Sequence, residues 1–312
     1  KIPKKISNFE NPPEENLRRL LNYFENQKYD DAEKLALSIN QEFSEHPFVW
    51  EILGLTFKQK GRMEEAISAY QKVLELSPQN YDVQCSFADT LRSMGRHKEA
   101  EIYYKQAIKL NPKLHKAYNN LGNTLRDLDK NEEAEEIYKK AIKLNPKGIE
   151  AYNNLGLVLR EIGKIEESSR IYEMAIKTGT KKVDIYTNFA ITLKNLGKLK
   201  EAENIYKKAI EIEPNAIGIY NNLGINLIDQ GKLNEAIDYL KRAIAIEPKF
   251  SAAYNNLGIA LNALGNFIEA EEYVKKAIDF DPNFLGPYSN LLFLQSTLAC
   301  DPKTHIKEAL RY

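Results

Sequence analysis

The sequence predicts an all-α, right-handed solenoid of about eight helix pairs, closed by a C-terminal capping helix. Three observations lead there. The first is a period of 34 residues: Tyr118, Leu121 and Gly122 return as Tyr152, Leu155 and Gly156, and Ala134, Tyr138, Ala141 and Pro146 return as Ala202, Tyr206, Ala209 and Pro214. A fixed period of this size marks a stack of supersecondary units that bury one another. The second is spacing within the period. Offsets 4, 7, 8, 11 and 14, for example Tyr118, Leu121, Gly122, Leu125 and Leu128, form one stripe of a helix. The third is punctuation. Gly or Asp at offset 15 (Gly61, Gly95, Asp129, Gly163, Gly197, Gly231, Gly265) suits a helix stop at positive φ, and Pro at offset 32 (Pro78, Pro112, Pro146, Pro214, Pro248, Pro282) ends the second helix.

In chain order, residues 1–12 read as a flexible lead-in ending in Asn11-Pro12. Residues 13–46 form a degenerate first repeat. It keeps Leu20, Tyr23, Tyr29, Ala32 and Leu35 but lacks the Leu-Gly pair, as a terminal repeat with one face in water should. Seven regular copies follow at 47–80, 81–114, 115–148, 149–182, 183–216, 217–250 and 251–284, with a first helix (A) over offsets 1–14 and a second (B) over roughly 18–31. Small residues at offsets 8, 20 and 27 let helices approach closely. The copy at 149–182 departs, with Ser168 at offset 20 and Gly179-Thr180 in place of the proline. This reads either as drift without consequence or as a local change of superhelical curvature. Residues 285–312 supply a capping helix through Tyr288, Asn290 and Leu291, then Asp301-Pro302 as the start of a further, truncated helix.

Composition excludes several classes. Lys plus Arg and Asp plus Glu are 44 each, so net charge gives no lead toward nucleic acid or an anionic membrane. No apolar run reaches the length of a membrane span. Cys85 and Cys300 have neither metal nor redox spacing, which fits a reducing, cytoplasmic setting. His46, His97, His115 and His305 share no acid–base or metal geometry, and every glycine is explained by the repeat rather than by a phosphate loop. We therefore expect no catalytic residues, no metal and no cofactor. Carboxylates such as Glu132, Glu133, Glu135 and Glu136 are expected on a solvated outer face of helix B. The chain starts without Met and reads as a fragment or processed product.

The candidate site is the face of helix A opposite its buried stripe, offsets 2, 5, 9, 12 and 13. At its edge runs an amide row at offset 6: Asn120, Asn154, Asn188, Asn222, Asn256 and Asn290. Offset 5 adds Asn119, Asn153, Asn221 and Asn255. A carboxamide both donates and accepts, so this row suits the backbone of an extended peptide, or equally a local bond between helices. A basic row at offset 12, Lys58, Arg92, Arg126, Arg160 and Lys194, predicts a preference for acidic segments, unless it serves ordinary surface ion pairs with neighbours such as Asp127 and Glu161.

These offsets, aromatic, Leu-Gly, Ala, aromatic, Ala and Pro, resemble the tetratricopeptide repeat. That resemblance implies that the helix A face lines a groove for protein or peptide segments. Uninterrupted YNNLG copies, the offset-6 Asn row and the ending Tyr288-Ser-Asn-Leu-Leu-Phe293 resemble the N-terminal superhelix of O-linked N-acetylglucosamine transferases and SPINDLY-type relatives. This implies a module that recruits protein substrates to an attached or associated glycosyltransferase. The alternatives are a free-standing scaffold for a multiprotein complex, or the repeat region of another fused enzyme, a sulfotransferase or an oxygenase. A two-carboxylate clamp is disfavoured, because offset 5 is mostly Asn and offset 9 mostly apolar (Leu157, Ile191, Ile225, Ile259).

Overall fold

A computed structural model describes residues 11–300, and those residues are helices joined by short turns, with no strand among them. The chain divides into two compact units, 1–158 and 159–312. The expected further helix from Lys303 and most of the lead-in lie outside the described residues.

The first unit holds α1 (Glu14–Glu25), α2 (Tyr29–Glu42), α3 (Pro47–Gln59), α4 (Met63–Leu76), α5 (Tyr81–Ser93), α6 (His97–Leu110), α7 (His115–Asp127) and α8 (Asn131–Leu144). It also holds most of α9 (Ile149–Glu161). The second holds α10 (Ile165–Lys177), α11 (Val183–Asn195), α12 (Leu199–Ile212), α13 (Ile217–Asp229), α14 (Leu233–Ile246), α15 (Ser251–Ala263), α16 (Phe267–Phe280) and the cap α17 (Gly286–Cys300). Each A helix of a regular repeat therefore occupies offsets 1–13 and each B helix starts at offset 17, one residue before the expected start.

The turns follow backbone rules. The offset-15 glycines have φ between 72° and 79°, as at Gly197 and Gly163, and the two non-glycine residues at that offset, Gln27 and Asp129, are forced to 59° and 58°. Helix B stops one residue before its cap, as at Leu110 with cap Asn111 and then Pro112, which cannot continue the amide ladder. At the irregular junction Gly179 takes over, with φ 82°.

Within each unit the core sets aromatic rings against small residues. Tyr70, Tyr104, Tyr138, Tyr172 and Tyr206, all at offset 24, are essentially inaccessible, as are Ala66, Ala100, Ala134 and Ala202 at offset 20. A methyl group built on Gly54 or Gly122 would lie 2.6 or 2.5 Å from the ring of Tyr70 or Tyr138, so these rings pack directly on the glycine backbone. The buried face of helix A is wider than the five-offset stripe. Offset 3 (Val49, Val83, Ala117, Ile185, Ile219) and offset 10 (Thr56, Thr90, Thr124, Thr192, Asn226) are also buried, because helix A meets both its own B helix and the neighbouring A helices. The offset-10 threonines are tolerated there because each hydroxyl donates to the carbonyl four residues back, as Thr124 Oγ1 does to Asn120 at 2.8 Å.

One expectation is corrected. Glu135 does not lie on a solvated face: it is 3 % exposed, and Lys139 bridges to it at 2.5 Å. Glu101 and Glu203, at the same offset, behave alike and reach the following repeat, through Lys130 at 2.8 Å and Lys232 at 2.7 Å. In the first repeat Glu33 is held by Arg62 at 2.7 Å. Burial pushes the Glu203 carboxyl up, but hydrogen bonds from Lys207, Lys232 and Gln230 outweigh it and hold the group at about 2. The carboxylate is thus a charged staple between repeats, set by its neighbours rather than by its own helix.

Candidate helix A face

In the first unit the amides are organised by hydrogen bonds between repeats. Asn120 Nδ2 donates to Asp89 at 2.9 Å, and Asn154 Nδ2 donates to Asn119 Oδ1 at 3.1 Å. In the second unit Asn256 donates to Asn221 at 2.8 Å and Asn290 to Asn255 at 2.7 Å. In these four the offset-6 amide donates one N–H to offset 5 of the preceding repeat, or to offset 9 where that residue is Asp89. Asn153 and Asn188 also have partners, and Asn222 is half-buried. The row is a set of inter-repeat clasps first. A clasp consumes one donor and one acceptor of each pair, and a carboxamide has two N–H groups and two lone pairs to offer.

The basic row is likewise tied. Lys58 lies 4.0 Å from Asp89, Arg92 donates to Asp127 at 2.7 Å, and Lys194 pairs with Asp229 at 3.0 Å. In the last two pairs a cation at offset 12 meets an acid at offset 13 of the next repeat. Arg126 has a partner too. Arg160 differs. The residue at offset 13 of its following repeat is Asn195, not an acid, and Arg160 Nη1 has no hydrogen-bond partner. It lies close enough to Tyr206 to act against burial, which pushes that phenol well above its ordinary value.

Sequence reasoning missed two side chains of this face. Asp89 accepts the phenol of Tyr104 as well as Asn120, and Asn123 accepts the phenol of Tyr138 at 2.6 Å. Both sit at offset 9, which is otherwise leucine in the first unit (Leu21, Leu55, Leu157) and isoleucine in the regular repeats of the second (Ile191, Ile225, Ile259). A cleft of about 300 Å³ opens in the first unit, lined by His115, Lys116, Asn119, Asn120, Asn145 and Glu150 among others. It brings two of the predicted amides together with a cation and a carboxylate. Among the described residues no cluster of three or more His, Cys, Asp or Glu is placed to hold a metal, and no helix is long and apolar enough to cross a membrane. Burial, then Asp89 and Asp82, push the Cys85 thiol up to about 12, which makes it a poor nucleophile.

Comparison with known proteins adds the following. The family profile of the Cilia and flagella-associated protein 70 C-terminal domain matches residues 26–257, and a tetratricopeptide repeat profile matches residues 227–292. No curated protein matches the sequence. Among solved structures, YrrB, described as a tetratricopeptide protein with an unusual peptide-binding site, is 25 % identical over 60 % of this chain and 96 % of its own, with a TM-score of 0.50. MamA is 28 % identical over 52 % and 95 %, also at 0.50. A tetratricopeptide protein of Parabacteroides merdae is 20 % identical over 78 % and 96 %, at 0.56, and shows the fold alone.

Proposed function

The chain belongs to the family of the Cilia and flagella-associated protein 70 C-terminal domain, built of tetratricopeptide repeats, and on that premise we propose that it is a scaffold that binds extended protein segments on its helix A faces. The observation that carries this is the cleft in the first unit lined by Asn119, Asn120, Lys116 and Glu150, where amides and opposite charges converge on one surface. The peptide-binding site of YrrB, at 25 % identity, supports the same reading. The free-standing scaffold is better supported than recruitment for a glycosyltransferase, which rests on the sequence resemblance alone.

Selectivity for acidic segments is the narrower part of the proposal. Most cations of the basic row already face carboxylates, so the attraction concentrates at the half-buried Arg160, which meets Asn195 rather than an acid at the matching position of the next repeat. Fluorescence anisotropy with acidic and neutral peptides of equal length tests it. Arg160→Ala should weaken the acidic peptide selectively and flatten its salt dependence, since exposed charge pairs are screened over about 8 Å at physiological salt. Equal loss for both peptides, or none, refutes the acidic preference. Failure of both peptides to bind the unaltered chain refutes the groove itself.

A further inference from the structure

A second site lies away from the helix A face, between α4 and α6 where α5 begins. At offset 4 most repeats carry an aromatic side chain, and in several of them it donates to the carbonyl of offset 32 in the preceding repeat. Tyr152, Tyr220 and Tyr254 donate to Pro146, Pro214 and Pro248 at 3.2, 2.9 and 3.0 Å, and the indole of Trp50 donates to Ser44 at 2.7 Å. In the repeat at 81–114 this residue is Gln84. Its Nε2 keeps the bond, to Pro78 O at 2.9 Å, but the ring is gone. Two consequences follow. Gln84 is 5 % exposed, and its Oε1 accepts no hydrogen bond. The space beside it is a cleft of about 510 Å³ lined by Gln71, Leu74, Glu75, Tyr103 and Gln106 as well as Gln84 and Pro78.

The chain itself shows what fills such a place. Tyr220 packs on Tyr239 with ring centroids 6.3 Å apart, and Tyr254 packs on Tyr273 at 6.0 Å. Tyr239 and Tyr273 occupy offset 23, which in the repeat at 81–114 is Tyr103. Tyr103 leans on Phe87 at 4.5 Å and is only half-buried, without an offset-4 ring to cover it. A lone buried acceptor costs free energy that one donor would recover. A phenol supplies both missing parts, a ring for Tyr103 and an O–H for Gln84 Oε1.

We propose that this cleft is a docking site for a tyrosine side chain of a partner protein, which replaces in trans the ring the other repeats supply in cis. The site is independent of the helix A face.

N-acetyl-tyrosine amide and N-acetyl-phenylalanine amide serve as probes in NMR titrations of the whole chain, at concentrations on the order of millimolar, as suits one side chain. The tyrosine amide should bind about three- to tenfold more tightly, the effect of one ordinary hydrogen bond. Gln84→Tyr should fold, because it restores the side chain that most repeats carry at offset 4, and should weaken the tyrosine amide at least about tenfold by filling the cleft. Gln84→Leu leaves the cleft open without the acceptor, and should abolish the preference for tyrosine over phenylalanine. Undiminished binding to folded Gln84→Tyr, an unchanged preference in Gln84→Leu, or no binding to the unaltered chain each overturns the proposal. If Gln84→Tyr fails to fold, the Gln84→Leu comparison decides.

Discussion

Replacing Gly122 by Leu tests the packing that places the helix A face. A Cβ at this position would lie 2.5 Å from Cε1 and 2.8 Å from Cδ1 and Cζ of Tyr138. Carbon atoms rest about 3.5–4.0 Å apart, so the ring has to retreat by about an ångström. It has little room: Tyr138 is 0 % exposed and its hydroxyl is held by Asn123 at 2.6 Å. Overpacking costs about 1–3 kcal/mol, and loss of the phenol bond about 0.5–1.5 more. Leaving glycine returns roughly 1 kcal/mol of helix propensity. For Gly122→Ala a single methyl takes the low end of these costs, which the helix-propensity gain nearly offsets, and Ala88 and Ala190 at the same offset, in repeats that keep Tyr104 and Tyr206, agree with a change within about 1 kcal/mol. For Gly122→Leu the remaining carbons meet the same interface, and we expect a net loss of about 3 kcal/mol. Urea melts followed by far-ultraviolet circular dichroism read the total. Because stacked repeats open in parts, amide exchange over α7 and α8 should locate the damage there. The exposed Glu132→Ala is the control, expected within about 0.5 kcal/mol. A Leu variant as stable as the control would refute the assignment of offset 8 to the ring interface.

Three further outcomes are expected. Glu203 titrates near 2 in the fold against an ordinary 4.5, so its stabilisation is fully present above the ordinary value and is lost as pH falls toward about 2. Glu203→Gln should therefore cost at most about 3 kcal/mol at neutral pH and flatten the acid limb of a pH–stability curve between those values; an unchanged limb refutes the staple. Asp129→Gly should raise stability by about 0.5–1 kcal/mol by relieving a left-handed backbone, read as a higher melting temperature; a lower one would show that the aspartate side chain matters more than its φ. Asn256→Ala should lower stability by about 0.5–1.5 kcal/mol through loss of its bond to Asn221, with amide exchange quickened in α13 and α15; no change would return the amide row to ligand binding alone.

What the sequence determined by itself is what the backbone decides locally. The 34-residue period, the turn at positive φ before each B helix and the proline after it depend on covalent geometry and on neighbours a few residues away, so Gly197 and Pro112 could be interpreted without coordinates. The Tyr–Gly pairing at offsets 24 and 8 was half legible, because both positions are apolar and periodic. Tertiary structure alone decided where polar groups go. Asn154 and Asn256 carry the same residue type and offset whether they face a peptide or clasp Asn119 and Asn221. Glu135 and Glu132 are three residues apart on one helix, yet Glu135 is buried against Lys139 while Glu132 is exposed, because only the stacking of neighbours sets how far a helix is covered. Gln84 reads as a tolerated polar substitution until the surrounding repeat shows a bond kept and a ring missing. Hydrogen-bonding groups are interchangeable in a pattern and specific only in three dimensions, since their free energy depends on the partner present after water has been removed.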